Sequence, residues 1–562
     1  MADAQPSQHE LDADADEDEA LRQAIALSLE EQHKTTAASI SHEKDADKPT
    51  FGTLPLDRRQ MEQERLQRLA KRRRVSSGDE VVEVPPPKKP APSKPSSQSA
   101  AALPFPNGTI KRTWARGYPR TPDDIKIEEV LQKDQLILAV LSSFQWDEEW
   151  IMSKVNLATT KLLLLAFASD DAQKEAMRSN VPPGIKFCFP PMKGPGSMHS
   201  KLQVLKYPGY LRVVVPTGNL VPYDWGESGV MENMVFLIDL PRLENPTDHS
   251  PTMFSIELRR FLSASGVDDR MVSSLSNYDF SKTRELGFVY TIPGGHMDES
   301  LKSVVVMVAH GWWLMAGLGY CGLGGCVAAL GLATEELVEV DLVCASLGSV
   351  NYDLVTAIYN ACRGDDGMKE YRARTARKGS EKAAGLVESL KARFRIYFPT
   401  NQTVSRSRGG RSEKWWRSPT FPRELVRDCV NTRPGLLMHS KVILVRKPVR
   451  GCLDGPRAPG LAYVGSANLS ESAWGRLVKD RASGKAKMSC RNWECGVVVP
   501  LPKVTTKGHR DGGNGGGGSG DRSATDSQVY GMDVFAGTVP IPMRVPGRHY
   551  EAGDQPWFFQ KP

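Results

Sequence analysis

Two similar α/β/α sandwich halves with mixed sheets, related by a pseudo-two-fold axis, are the fold this sequence predicts, with the functional site at their seam. Three observations lead there. From about Thr113 onward, short apolar runs alternate with segments of helical character, the pattern of sheets covered by helices. The four-residue word Met-His-Ser-Lys occurs twice, within Ser197-Met198-His199-Ser200-Lys201 and Leu437-Met438-His439-Ser440-Lys441, each running into an apolar strand. The polar residues that follow the two copies also keep the same order.

The chain has 562 residues, more than one ordinary domain, with 73 Lys+Arg against 66 Asp+Glu and a net charge of +7. That balance is compatible with a nucleic-acid partner without requiring one. The nine cysteines form no Cys-x-x-Cys pair, and those with four residues between them, Cys321/Cys326 and Cys490/Cys495, have no neighbouring His. Reduced thiols are expected rather than a zinc site. The acidic opening residues predict no secretory leader.

Residues 1–100 are polar, charged and Pro/Ser-rich, a composition expected to stay disordered. Within them, residues 16–32 set an acidic run before Leu21, Ala24, Ile25 and Ser28, which share one helical face. Further on, residues 58–74 carry Arg58-Arg59 and Lys71-Arg72-Arg73-Arg74, spaced as a bipartite nuclear import signal, so a nuclear location is expected. Pro85-Pro86-Pro87 and the serines beyond read as a linker.

The first half spans residues 105–300. Residues 125–131 and 135–141 are expected to be partly helical, whereas 161–168 and 185–189 read as strands, and a Pro/Gly loop delivers the chain to His199. Strands at 202–205, 211–215 and 234–238 follow. The second half, residues 319–562, repeats the plan with strands at 339–345, 393–399, 442–445, 461–464 and 496–499. Between the halves, residues 303–334 contain no Asp, Glu, Lys or Arg and are long enough to span a bilayer. Their many glycines loosen a helix, and the halves on either side must share one site. No membrane partner is therefore expected.

In a strand, residues two apart point to one face, so His199 with Lys201 and His439 with Lys441 should project as pairs into one space. The next strands end at Asn219 and Asn468, and Glu232 and Glu494 precede the last strand of each set. Neutral imidazole is a nucleophile, and its protonated form is an acid near neutral pH. Two of them can divide one displacement into attack and proton transfer. Two ammonium groups and two amides match the charge that builds on a five-coordinate phosphorus. The set suits phosphoryl transfer with no metal and no cofactor.

The paired His-x-Lys words with Gly465-Ser466-Ala467-Asn468-Leu469-Ser470 and Ala473-Trp474-Gly475 resemble the phospholipase D superfamily, in particular a fungal form of its tyrosyl-DNA phosphodiesterase branch. The superfamily's Asp, expected after each Lys, is replaced by Lys206 and Arg446, as in that branch. The resemblance implies His199 as nucleophile, His439 as general acid/base, and Lys201, Lys441, Asn219 and Asn468 around the phosphate. Glu232 and Glu494 would orient the imidazoles. It further implies a monomer acting on single-stranded or nicked DNA carrying a topoisomerase I peptide on its 3′ end, and it places Ser346 near the DNA. The stretch 406–417, by its own mix of basic and aromatic residues, suits phosphate contact and base stacking with single-stranded DNA. The resemblance also makes the sequence from Gly319 onward ordinary domain sequence, so residues 302–318 read as an insertion or gene-model artefact. Residues 16–32 resemble a ubiquitin-interacting motif. A phospholipase D-type lipid hydrolase and an inactive ubiquitin- and DNA-binding scaffold are the alternatives.

Overall fold

The computed structural model describes residues 103–297, 304–308, 311–315, 317–376, 380–410, 416–417, 421–449, 457–504 and 529–557. The expected ubiquitin-binding residues Leu21, Ala24, Ile25 and Ser28 and the import signal lie outside them. By contacts the chain divides into two units. One contributes the helix Asp171–Ser179, capped where the Asp170 side chain accepts from Gln173 N. The other, residues 103–167 and 184–562, holds everything that follows.

Its first sheet has eight strands, in the order Asp124–Ile125, Thr109–Thr113, Met234–Pro241, Tyr210–Pro216, Gln203–Lys206, Leu138–Ser142, Lys161–Leu165, Ile185–Cys188. The second has seven, in the order Gly287–Thr291, Glu494–Pro500, Gly460–Gly465, Val442–Arg446, Glu339–Val343, Phe394–Phe398, Val426–Asp428. From Thr109–Thr113 outward, every strand of the first sheet has a counterpart in the second with the same neighbours. The directions match too, antiparallel as far as Leu138–Ser142 and Glu339–Val343, then parallel to the edge.

Both faces of the first sheet are buried, which explains its near-continuous apolar runs. In Tyr210–Pro216, Leu211, Val213 and Val215 join a core that also contains Val340, Leu342, Val442 and Leu444 of the second half. Tyr210 and Val214 face a separate core with Val130, Leu131 and Trp150. Arg212 shares that second face and is fully buried, which its fork satisfies: Nε and Nη2 meet Asp239 at 2.6 and 3.0 Å, and Nη1 donates to the carbonyls of Glu129 and Val130.

One element differs from expectation. Residues 127–131 form a helix, but Leu138–Ser142 is a strand in the middle of the first sheet. A short apolar run buried on both sides has no period that separates strand from helix. The apolar stretch between the halves contains several elements. Val304–Val308 and Gly311–Met315 pair as an antiparallel hairpin, and Gly319–Ala329 is a helix. Glycines in that helix permit close backbone approach: a Cβ on Gly324 would lie 1.7 Å from the Asp365 carbonyl oxygen. Among the described residues, no helix is long and apolar enough to cross a membrane.

Candidate active site

Each histidine word is anchored by the opposite half. Met198 bridges to Trp493, and His199 N donates to the Trp493 carbonyl at 3.0 Å. In the same way Leu437–Met438 pairs in parallel with Met231–Glu232, and His439 N donates to the Glu232 carbonyl at 3.2 Å. The lysines turn back along their own words. Lys201 Nζ donates to the His199 carbonyl (2.9 Å), and Lys441 Nζ donates to the carbonyls of His439 (2.6 Å) and of Thr217 in the first half (3.2 Å). Both lysines are buried.

The carboxylates behind the rings are crossed between halves as well. His199 Nδ1 lies 2.8 Å from Glu494 Oε2, and His439 Nδ1 lies 3.2 Å from Asp224 Oδ2. With Nδ1–H donating to a carboxylate, each Nε2 keeps its lone pair for chemistry. The rings are covered except for an edge, their side chains 12% and 18% exposed.

The expected role of Glu232 is corrected here. Its carboxylate is buried against Arg433, Nε to Oε2 3.1 Å, and only its backbone carbonyl meets His439. Register explains this. Met438 is opposite Glu232 where Met198 is opposite Trp493, so Glu232 holds the place of Trp493, one residue before Glu494. Successive strand residues face opposite ways, and the matching Glu therefore points away from the ring. Sequence reasoning missed Asp224 because it lies in a loop after Asn219 with no counterpart in the second half.

Charge and burial set the protonation states. Burial lowers the His199 pKa, Glu494 opposing and Lys201 assisting. Burial, with Lys441 beside it, pushes His439 down to about 4 against the pull of Asp224. Lys201 is lowered to about 8 by burial, with Glu494 and Asp224 opposing. Lys441 falls well below its ordinary value through burial and then the charge of Lys201. Against its own burial, Asp224 is held below the usual carboxylate range by His439 and Lys441. Lys201 is felt at His439 and Lys441 at His199, so the two words form one electrostatic cluster.

The asparagines clasp the loops after the central strands. Asn468 Oδ1 accepts from Ala345 N and Ser346 N at 3.2 and 3.1 Å, while Asn219 Oδ1 accepts from Gln145 N at 3.4 Å. Ser346 thus sits beside Asn468, and Ser346–Leu347 pairs in parallel with Trp416–Arg417, joining the expected serine loop to the basic-aromatic stretch. With its oxygen engaged, Asn468 leaves its Nδ2 as a donor. Among the described residues no group of three His, Cys, Asp or Glu could hold a metal ion.

A duplicated α/β scaffold with one imidazole, one ammonium and one amide from each half is the arrangement of a two-histidine phosphoryl-transfer protein. The sequence model of the tyrosyl-DNA phosphodiesterase family matches residues 109–551, and the chain belongs to that family. Tyrosyl-DNA phosphodiesterase 1 of Arabidopsis thaliana is 30% identical over 109 residues, 18% of this chain and 17% of that relative's length. The crystal structure of the yeast tyrosyl-DNA phosphodiesterase shares the fold, with a TM-score of 0.53 at 16% identity, covering 81% of this chain and 100% of its own. A point mutant of the yeast protein matches at 0.53 and 17% identity, covering 80% and 100%.

Proposed function

We propose that this protein hydrolyses the phosphodiester joining a tyrosine of topoisomerase I to a DNA 3′ end, through a covalent phosphohistidine. The observation that carries the reading is the crossed pairing of two imidazoles with carboxylates of the opposite halves, around two buried ammonium groups. His199 Nε2 attacks phosphorus and the bond to the tyrosyl oxygen breaks. His439 gives a proton to the departing phenolate, then takes one from water, whose oxygen attacks phosphorus as the P–N bond breaks. DNA ending in a 3′-phosphate leaves and His199 is restored. Lys201 and Lys441 balance the charge that develops, and Asn468 donates to an equatorial oxygen.

With its pKa pushed down to about 4, His439 is neutral at pH 7, which suits a base. The anionic phosphodiester favours the imidazolium needed for the first step. A phenol of pKa near 10 leaves readily even with partial protonation. The partners proposed are single-stranded or nicked DNA bearing a topoisomerase-derived peptide, and ubiquitin through residues 16–32. The nucleus is the compartment that the basic segment favours.

Purified protein should release tyrosine from a 3′-tyrosyl oligonucleotide and leave phosphatidylcholine intact. Turnover of the lipid alone would favour the lipid-hydrolase alternative, and turnover of neither would favour the scaffold.

A further inference from the structure

The loop that delivers each histidine is gripped by the residue standing at one matching place in the opposite half, but by different means. For His199 that residue is Trp493, fully buried and edge-on to Phe261 with ring centres 5.6 Å apart. Its Nε1 donates at 3.2 Å to the carbonyl of Pro191, in the loop ahead of the histidine. For His439 it is Glu232, whose carboxylate meets Arg433 in the loop ahead of that histidine, Nε to Oε2 3.1 Å. One grip is an indole; the other is an ion cluster.

Arg433 is the second half's member of that cluster, and Arg112, Asp124 and Glu232 come from the first. Its Nη2 donates to Asp124 Oδ1, and Arg112 Nε lies 3.8 Å from the same oxygen. Asp124 is fixed by its own turn: Oδ2 accepts from Thr121 N and Oγ1 at 2.8 and 3.0 Å, and its side chain is fully buried. Burial raises the Glu232 pKa, while Arg433 and then Arg112 oppose that rise and favour its charged form. A planar guanidinium held by two carboxylates is fixed in orientation as well as in distance.

The same residue shapes the loop. Arg433 N donates to Asn431 Oδ1 at 2.7 Å, Leu436 N to the Arg433 carbonyl at 3.2 Å, and Leu437 N to the Val230 carbonyl of the first half at 2.9 Å. From Leu437 the backbone runs through Met438 directly to His439. Where Arg433 is seated therefore decides where the second imidazole stands.

We infer that Arg433, by spanning Asp124 and Glu232 of the first half, is a positioning residue that sets His439 over the phosphorus, and that it serves hydrolysis of the phosphohistidine more than its formation. The inference rests on the functional reading above. A phenolate leaves without full protonation, so the first step tolerates a displaced His439. Activation of water does not, since the base must lie within hydrogen-bond reach of the proton it takes. A shift of about 1 Å in such a group costs about 100-fold.

The test is single-turnover kinetics of the full chain on a 3′-tyrosyl oligonucleotide, following tyrosine release and the covalent adduct separately, for the wild type and Arg433→Met. Tyrosine release should stay within a few fold, and adduct hydrolysis should slow about 10- to 100-fold. Because Arg433 acts through His439, adding Arg433→Met to His439→Ala should slow adduct hydrolysis no further than His439→Ala alone. Arg433→Lys, a point charge without the planar fork, should fall between the wild type and Arg433→Met. Should Arg433→Met fail to fold, the double variant with Glu232→Gln removes one charge of each sign and takes its place in the same comparison.

Unchanged adduct hydrolysis, an equal loss of both steps in a folded variant, or a further loss in the His439→Ala background would overturn the inference. A wild type that forms no adduct would sink the functional reading, and the inference with it.

Discussion

His199 and His439 present the same ring to the seam, but what stands behind each differs, and their kinetic roles should differ accordingly. Replacing His199 with Ala removes the attacking nitrogen and should abolish both turnover and adduct. Lys201, lowered to about 8, is charged at pH 7 and loses its proton as pH rises through that value. An anionic substrate binds the charged form, so KM should rise steadily above pH 8, measured by initial rates at fixed ionic strength; a flat KM to pH 9.5 would remove Lys201 from substrate binding. The repeated words made His, Lys and Asn legible before any fold was known, because identical short strings recurred in identical order. Glu232 misled for a related reason: a Glu before an apolar run looks the same in both halves, and a one-residue shift of register is invisible without the partner strand. Asp224 gave no repeated signal at all.

Among the elements, the strand Tyr210–Pro216 ties catalytic placement to stability. Its end delivers Thr217 and Asn219 to the seam, while Arg212 on its outer face fixes it to the neighbouring Asp239 and to the carbonyls of Glu129 and Val130. Asp239→Ala leaves a buried guanidinium without its anion and should cost about 3–5 kcal/mol, measured by urea unfolding. A loss under 1 kcal/mol would show that solvent reaches Arg212. The strand itself was readable from its apolar run, but Leu138–Ser142 was not, since burial on both faces removes the alternation that marks a half-exposed strand. The apolar region between the halves was also opaque to composition. The paired strands and the glycine-rich helix there share one hydropathy, and only the backbone approach of Gly319 to the Trp474 carbonyl and of Gly324 to that of Asp365 shows why the helix is built from glycine.

At the scale of the whole molecule, the halves are interlocked rather than merely adjacent. Each histidine takes its backbone partner and its carboxylate from the other half, so neither half holds a complete site. The two ammonium groups supply the charge that a divalent cation supplies elsewhere, so EDTA should leave the rate within about twofold of the untreated enzyme. The duplication of strand order, legible in outline from the repeated words, explains why a site of four cations and donors forms at a seam. The measurement closest to the central claim is mass spectrometry of His439→Ala quenched during reaction with a 3′-tyrosyl oligonucleotide. The account predicts DNA linked through phosphorus to His199, accumulating because its hydrolysis is slowed. An adduct on any other residue, or turnover without an adduct, would contradict it.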